Sequence, residues 1–227
     1  MKFAVIEGLD GSGKSTQIKL LRNYLEENKI KYKYLHFPRA GTGVYGELVA
    51  RFLRGELGNI NQVNPYLVAL IFAGDRDDAK EMIRKWIKEG YFVLIDRYVN
   101  SNIAFQCAKF QSQQERDQLT DWILKLEFEY NNLPVPDISL FLDVPFNFTE
   151  KQLKNQRQGK DREYLKGAVD IHEDNLDFQN IVRQVYLSLE GKEGYKILNC
   201  ANKTGHILQP DEIFNKIIKS LEIHERN

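Results

Sequence analysis

Strands and helices alternate along this 227-residue chain. The alternation predicts an α/β fold, a five-stranded parallel sheet flanked by helices. Three observations carry that prediction. Short apolar runs recur as buried strands: FAVI (3–6), KYKYLHF (31–37), YFVLID (91–96), DISLFLDV (137–144) and YKILNC (195–200). Helical spacing fills the intervals between them. The first strand runs into a glycine-rich turn that opens a helix.

The elements follow in order. Ile18, Leu21 and Leu25 sit at helical spacing within 14–28. Pro38 closes the second strand, Gly41-Thr42-Gly43 is a loop, and a helix runs on to about Arg54. Pro65 suits the first turn of a long helix over 65–89, which Gly90 ends. Helices over about 100–110 and 113–131 follow the third strand, and Pro134 and Pro136 break the chain before the fourth. Residues 156–168 (QRQGKDREYLKGA) are polar, contain two glycines and read as a mobile lid. Helices over 170–190 and 212–223 complete the pattern. At about 150 residues per domain, one domain over 1–227 is expected, with the lid as its only insertion.

Composition narrows the partners. The 32 basic and 32 acidic residues cancel, so nothing favours non-specific binding to nucleic acid or a membrane surface. Any anion must be held locally by a few placed groups. No apolar run approaches the roughly 20 residues of a membrane span, and FAVI is too short for a signal-peptide core. Cys107 and Cys200 read as free thiols in a reducing cytoplasm, since a core of this size needs no bridge.

The chemistry starts at GLDGSGKST, Gly8 to Thr16, which fits the phosphate-loop pattern GxxxxGK[ST]. Gly8, Gly11 and Gly13 let the backbone N–H groups of the loop, through Ser12 to Thr16, turn inward on phosphate oxygens. Lys14 places a cation on the β and γ phosphates and reads as an exposed loop residue whose loss leaves the fold intact. Ser15 offers a hydroxyl to Mg²⁺. The following helix points its positive end at the same anion. Asp10 inside the loop is costly beside phosphates unless it meets a hydroxyl or Mg²⁺; otherwise it is a solvated turn residue.

The acceptor is read from the next strand ends. A kinase acting on an alcohol needs a carboxylate base, whereas one acting on a phosphate needs cations to bring two anions together. The second strand ends HFPRAGTGVYG, with Arg39 but no acid until Glu47, and the central strand ends Asp96-Arg97-Tyr98. Two arginines at strand ends suit a phosphate acceptor, because guanidinium forks match phosphate oxygens. Alone, each would equally serve as an ordinary polar loop residue.

At this point the chain resembles the thymidylate kinases, P-loop nucleoside monophosphate kinases, over nearly its full length. The matching pieces are EGLDGSGKST, HFPR, LIFAGDR (70–76), IDRYVNSNIAFQ (95–106) and QGKDREYLKGAVDIHEDNLDFQ. The resemblance implies transfer of the γ-phosphoryl of ATP to dTMP with Mg²⁺, in a homodimer. It implies that Phe37 and Pro38 border the acceptor, and that Arg39 and Arg97 hold its phosphate. Phe72 would stack on the thymine, Arg76 would bond a base carbonyl, and Asn102, after Ser101, the ring N–H. Asp10 would bind the 3′-hydroxyl, Phe105 would crowd the 2′ position, and Asp96 would join Ser15 in organising Mg²⁺. Arg157, Lys160 and Arg162 would close on ATP.

Plainer readings stand beside these. Phe72, Asn102 and Phe105 would equally serve as helix core or surface. Asp170 and Glu173 form a D-x-x-E capping box that accounts for Glu173 without catalysis, and His172 reads as a lid-edge or surface residue. Some members carry an arginine inside the phosphate loop, where this chain has Gly11 and Ser12. That departure shifts the expected transition-state cation to Arg157 and Arg162 in the lid. Some also carry an acid between the proline and arginine of HFPR, absent here, and Phe105 replaces a tyrosine common in bacterial members. Rival readings are a kinase for UMP or dUMP, a deoxynucleoside kinase, and a P-loop switch with no small acceptor.

Overall fold

The computed structural model describes residues 3–60, 62–154, 165, 170–172 and 175–222. Five strands form one parallel sheet: β1 (Phe3–Glu7), β2 (Tyr32–His36), β3 (Phe92–Asp96), β4 (Ile138–Asp143) and β5 (Tyr195–Asn199), in the order β2-β3-β1-β4-β5. β1 and β3 are buried at every position, as expected when helices cover both faces. Register aligns the carboxyl ends that matter: Ile6 and His36 both pair with Asp96, and Glu7 pairs with Phe141.

Alternate strand residues feed two cores. Ala4, Ile6, Leu94 and Leu140 pack with α1 (Lys14–Glu27) and α8 (Pro210–Leu221) through Ile18, Leu21, Ile213 and Ile217. Phe3, Val5, Val93, Ile95 and Phe141 face the other way. They meet α3 (Pro65–Lys88), α4 (Val99–Cys107), α5 (Gln113–Leu124) and α7 (Leu176–Ser188) through Ile83, Ile103, Ile123 and Val182. α2 (Gly43–Leu53) adds Val49, Phe52 and Leu53 against Val68 of α3.

Caps explain several boundaries. Asn64 accepts from the Tyr66 N–H ahead of Pro65, and Ser112 accepts from the Glu115 N–H to start α5. Three expectations are corrected. The helix expected over 113–131 turns π-helical at Lys125–Tyr130, which rotates Glu127 inward to full burial. A short helix, α6 (Phe146–Lys154), falls where none was predicted. α7 starts at Leu176 rather than Asp170, capped by Asn175, whose Oδ1 accepts from the Phe178 N–H at 2.9 Å. Asp170 therefore cannot cap that helix. It accepts from the His172 N–H, while Ile171 N donates to Leu53 O and the Gln179 amide donates to His172 O. Those bonds hold 170–172 as a turn. Glu173 lies outside the described residues, as do Arg157, Lys160 and Arg162.

Candidate active site

The phosphate loop joins β1 to α1 at the centre of the sheet's carboxyl edge, where ligands of open α/β sheets bind. Gly11 and Gly13 have φ of +77° and +79°, conformations that side chains rarely adopt. Gly11 also has no room: a Cβ there would lie 3.1 Å from Gln152 Cβ and 3.2 Å from Thr149 O, both on α6. Gly8, Ser12 and Thr16 complete the loop, with Ser12 buried and Thr16 exposed.

Lys14 is not the exposed loop cation the sequence suggested. It is 7% exposed, and its Nζ donates to Asp96 Oδ1 at 2.5 Å. Asp96 also meets His36 Nδ1 at 3.1 Å and the Tyr34 hydroxyl at 3.4 Å. Burial alone would raise the Asp96 carboxyl, but the Lys14 ammonium and the His36 bond hold it well below the usual carboxylate range.

Arg97 sits one residue past β3 with φ of +65°, a left-handed conformation that costs a non-glycine residue on the order of 1–3 kcal/mol. Fixed bonds hold it there. Arg97 N donates to Ile6 O at 3.0 Å, and Tyr98 N donates to Glu7 Oε1 at 3.0 Å. Its guanidinium donates to Asp10 Oδ1 at 2.8 Å and to Ser101 Oγ at 3.3 Å, and lies 5.3 Å over the Phe105 ring. Ser101 in turn donates to Glu7 Oε2, which the Tyr186 hydroxyl also reaches. Burial opposes the Arg97 charge, but Asp10 together with Tyr186, Asp96 and Glu7 outweighs it, so the group stays protonated beyond the ordinary arginine range. Burial raises the Glu7 carboxyl, while Ser101 and Arg97 pull it the other way.

A cavity of about 570 Å³ opens from these groups. Asp10, Lys14, Ser15, Asp96 and Arg97 line its phosphate end. Phe37, Pro38, Ser101, Phe72, Arg76 and Asn102 also line the cavity, as does Phe105, beside the Arg97 guanidinium. Phe72 is half-buried and edge-on to Phe52 at 6.3 Å, as fits a wall residue better than a core one. Arg76 is 2% exposed and held by Glu127. Arg39 is absent from the lining. Its Nε donates to Asp75 Oδ1 at 2.9 Å and its Nη2 to Asp75 O at 2.7 Å, which turns the fork toward α3.

Sequence reasoning missed several residues in or behind this site, among them Tyr34, His36 and Gln106 of the lining. Glu7 had a signal, an acid ending an otherwise apolar buried strand. Glu127 and Gln179 had none within their helical stretches. His172, expected at the lid edge or surface, is 6% exposed and lines the cavity, with its ring 4.9 Å from Phe105 and 5.5 Å from Phe52. Burial, with the Lys109 charge beside it, keeps its imidazole well below the ordinary value and therefore neutral.

The residues present suit Mg²⁺. Among the described residues no group of three or more His, Cys, Asp or Glu side chains forms a metal cage. Mg²⁺ asks for less, because it binds through one or two carboxylates together with substrate phosphates. The ionised Asp96 beside the exposed Ser15 hydroxyl supplies that donor set.

A family model described as thymidylate kinase matches residues 6–209. The chain belongs to the thymidylate kinase family. It is a P-loop phosphotransferase of that family, with ATP as phosphate donor and dTMP as acceptor. A probable thymidylate kinase from Pyrobaculum aerophilum is 32% identical over 205 residues, covering 89% of this chain and 90% of that protein. One from Thermosipho melanesiensis is 34% identical over 187 residues, covering 82% and 83%. The solved thymidylate kinase structure from Candida albicans superposes with a TM-score of 0.70 at 25% identity, over 97% of this chain and 91% of that one. No helix among the described residues of this family member is long and apolar enough to cross a membrane.

Proposed function

We propose that the cavity holds dTMP with its phosphate at Arg97 and its base between Phe72, Arg76 and Asn102, and that the acceptor phosphate attacks the γ-phosphorus of ATP held on the Gly8–Thr16 loop. The observation that carries this reading is the single cavity running from Lys14 and Arg97 to Phe72 and Asn102. A phosphate oxygen is already ionised, so no base is required. The work falls to cations. Lys14 meets the donor's β and γ oxygens, and Arg97 holds the acceptor phosphate in reach of the γ-phosphorus. Asp10 takes the 3′-hydroxyl while orienting Arg97, and Phe105 closes the space beside the 2′ carbon. Arg39, turned to Asp75, acts on the acceptor phosphate only if its fork is released.

Ser15 and Asp96 would hold Mg²⁺, which supplies charge neutralisation on the donor phosphates. In this reading Arg157 and Arg162 bring the remaining transition-state cation, and the chain works as one cytoplasmic domain. Exposed Val44, Leu67 and Leu70 on α2 and α3 supply an apolar face for a homodimer.

The test is ADP release from ATP with a panel of nucleosides and nucleotides. dTMP should be the best acceptor, and thymidine should give no turnover; a strong response to thymidine would move the chain to the deoxynucleoside kinases. Replacing Arg157 and Arg162 by alanine should cut kcat far more than it raises the KM for dTMP. Near wild-type turnover of the double variant would show the lid to be only a cover.

A further inference from the structure

Glu127 is a carboxylate behind the cavity wall whose two oxygens both accept from groups proposed to read the base. It lies on the π-helical turn and is 0% exposed. Its Oε2 accepts from Arg76 Nε at 2.6 Å. Its Oε1 accepts from Arg76 Nη2 at 2.5 Å and from Asn102 Nδ2 at 2.9 Å. The second Asn102 amide proton goes to Ala69 O at 3.0 Å.

That arrangement settles which way the Asn102 amide points. A flipped amide would set its oxygen against a carboxylate and a carbonyl at once, so the nitrogen belongs where it is. Asn102 Oδ1 is then the remaining polar atom, and it is buried with no hydrogen-bond partner among the described residues. An unmet buried acceptor costs roughly 1–3 kcal/mol until a donor reaches it. Arg76 is fixed in the opposite sense. Burial opposes its charge, but the Glu127 carboxylate outweighs that and keeps it protonated. With Nε and Nη2 engaged, Nη1 has no partner among the described residues and has only protons to give.

We infer that Glu127 is a positioning residue for the base pocket: it fixes the Asn102 amide with its oxygen left over and holds the Arg76 fork, so that its loss weakens the discrimination between 4-keto and 4-amino pyrimidines. The inference rests on the proposed assignment of Arg76 and Asn102 to the base. Thymine and uracil present an N3–H and a 4-carbonyl, which complement that pair. Cytosine presents an N3 lone pair and a 4-amino group, which oppose it at both positions. A residue serving only as counter-ion to Arg76 would have no need to hold Asn102 as well.

The experiment compares dUMP with dCMP, which differ only at that edge, in the full chain with ATP. The wild-type kcat/KM for dUMP should exceed that for dCMP by on the order of 10⁴, the discrimination of a site whose polar groups are otherwise left unpaired. Glu127→Gln keeps the shape but offers one oxygen to three donors. It should narrow the ratio by at least about tenfold, mainly through a raised KM for dUMP, with the KM for ATP unchanged. Glu127→Asp, which keeps the charge, should narrow it less. A folded Glu127→Gln variant with the wild-type ratio overturns the inference. Should that variant fail to fold, Glu127→Asp decides, and a folded Glu127→Asp variant with the wild-type ratio and the wild-type KM for dUMP overturns the inference. Asn102→Ala separates the two levels. If it leaves the KM for dTMP at the wild-type value, the base assignment falls and the inference with it. If it raises that KM while Glu127→Gln keeps the wild-type ratio, only the role of Glu127 falls.

Discussion

Lys14 and Arg76 are both buried cations held by a carboxylate, yet the two pairs are built for different ends. Lys14 sits on a glycine loop beside the exposed Ser15, and its partner Asp96 has His36 and Tyr34 in reserve. Either member can let go when phosphate or a metal arrives, because other groups remain to meet it. Among the described residues Glu127 has one further hydrogen-bond partner, Asn102, and Arg76 has none. Both are closed from solvent, the carboxylate is fully used, and the pair sits between α3 and the π-helical turn. A carboxylate beside a cation therefore marks an exchangeable contact beside the glycine loop and a permanent one at the π-helical turn. Burial alone does not separate the two; the number of spare partners does.

The largest effect should come from opening the permanent pair. Arg76→Ala leaves Glu127 charged and buried, which costs about 3–5 kcal/mol of stability, read as the shift in a urea unfolding midpoint. A shift no larger than that of Lys14→Ala would break the contrast. Lys14→Ala should lower kcat at least about a hundredfold, as for loss of one preorganised donor, while its unfolding midpoint moves less, since Asp96 keeps His36 and Tyr34. A variant retaining more than about half the wild-type rate would remove Lys14 from the mechanism. Phe72→Ala should weaken dTMP by about 1–3 kcal/mol, the worth of one stacked base, with ATP affinity unchanged. Titrations in which ATP weakens and dTMP does not would reverse the two ends.

The last prediction concerns a third kind of buried cation, whose effect shows only as a dependence on pH. Lys109 lies 4.9 Å over the Phe52 ring and donates to Gln106 Oε1, with no carboxylate partner among the described residues. Burial pushes its amine down to about 7 from the ordinary 10.5. Between those values the unfolded chain binds more protons than the folded one, so stability rises with pH across that window and has no such slope below it. Lys109→Met should flatten the rise between pH 7 and 10.5, measured by urea unfolding at several pH values. An unchanged slope would show the amine to be solvated.

The contrast also divides what could be read from the sequence. The phosphate loop was legible because its parts are neighbours: GLDGSGKST fixes a turn, a cation and a hydroxyl within nine residues. The strands were legible because a sheet covered on both faces demands unbroken apolar runs. The base end was not, since Arg76 meets Glu127 across 51 residues and no local pattern marks an acid turned inward by a π-helical turn. The same limit hid the Asp75 clamp on Arg39, the burial of Lys14 and the packing of His172 under Phe105. It also lent Asp170 and Glu173 a capping role that Asn175 fills. Each turns on which distant element comes to rest on the residue.

One close approach bears on how this site can change. Gly11 is pressed against Thr149 and Gln152 of α6 and holds a φ that side chains avoid. A bulky cation cannot be installed there by a single substitution, because the helix would first have to retreat and the backbone to relax. α6 ends at Lys154, immediately before the stretch that carries Arg157 and Arg162. The wall that crowds Gly11 is thus the same helix that precedes Arg157 and Arg162 in the sequence. An arginine at position 11 would have to come with a shift of α6, so that position cannot change its charge by one residue alone.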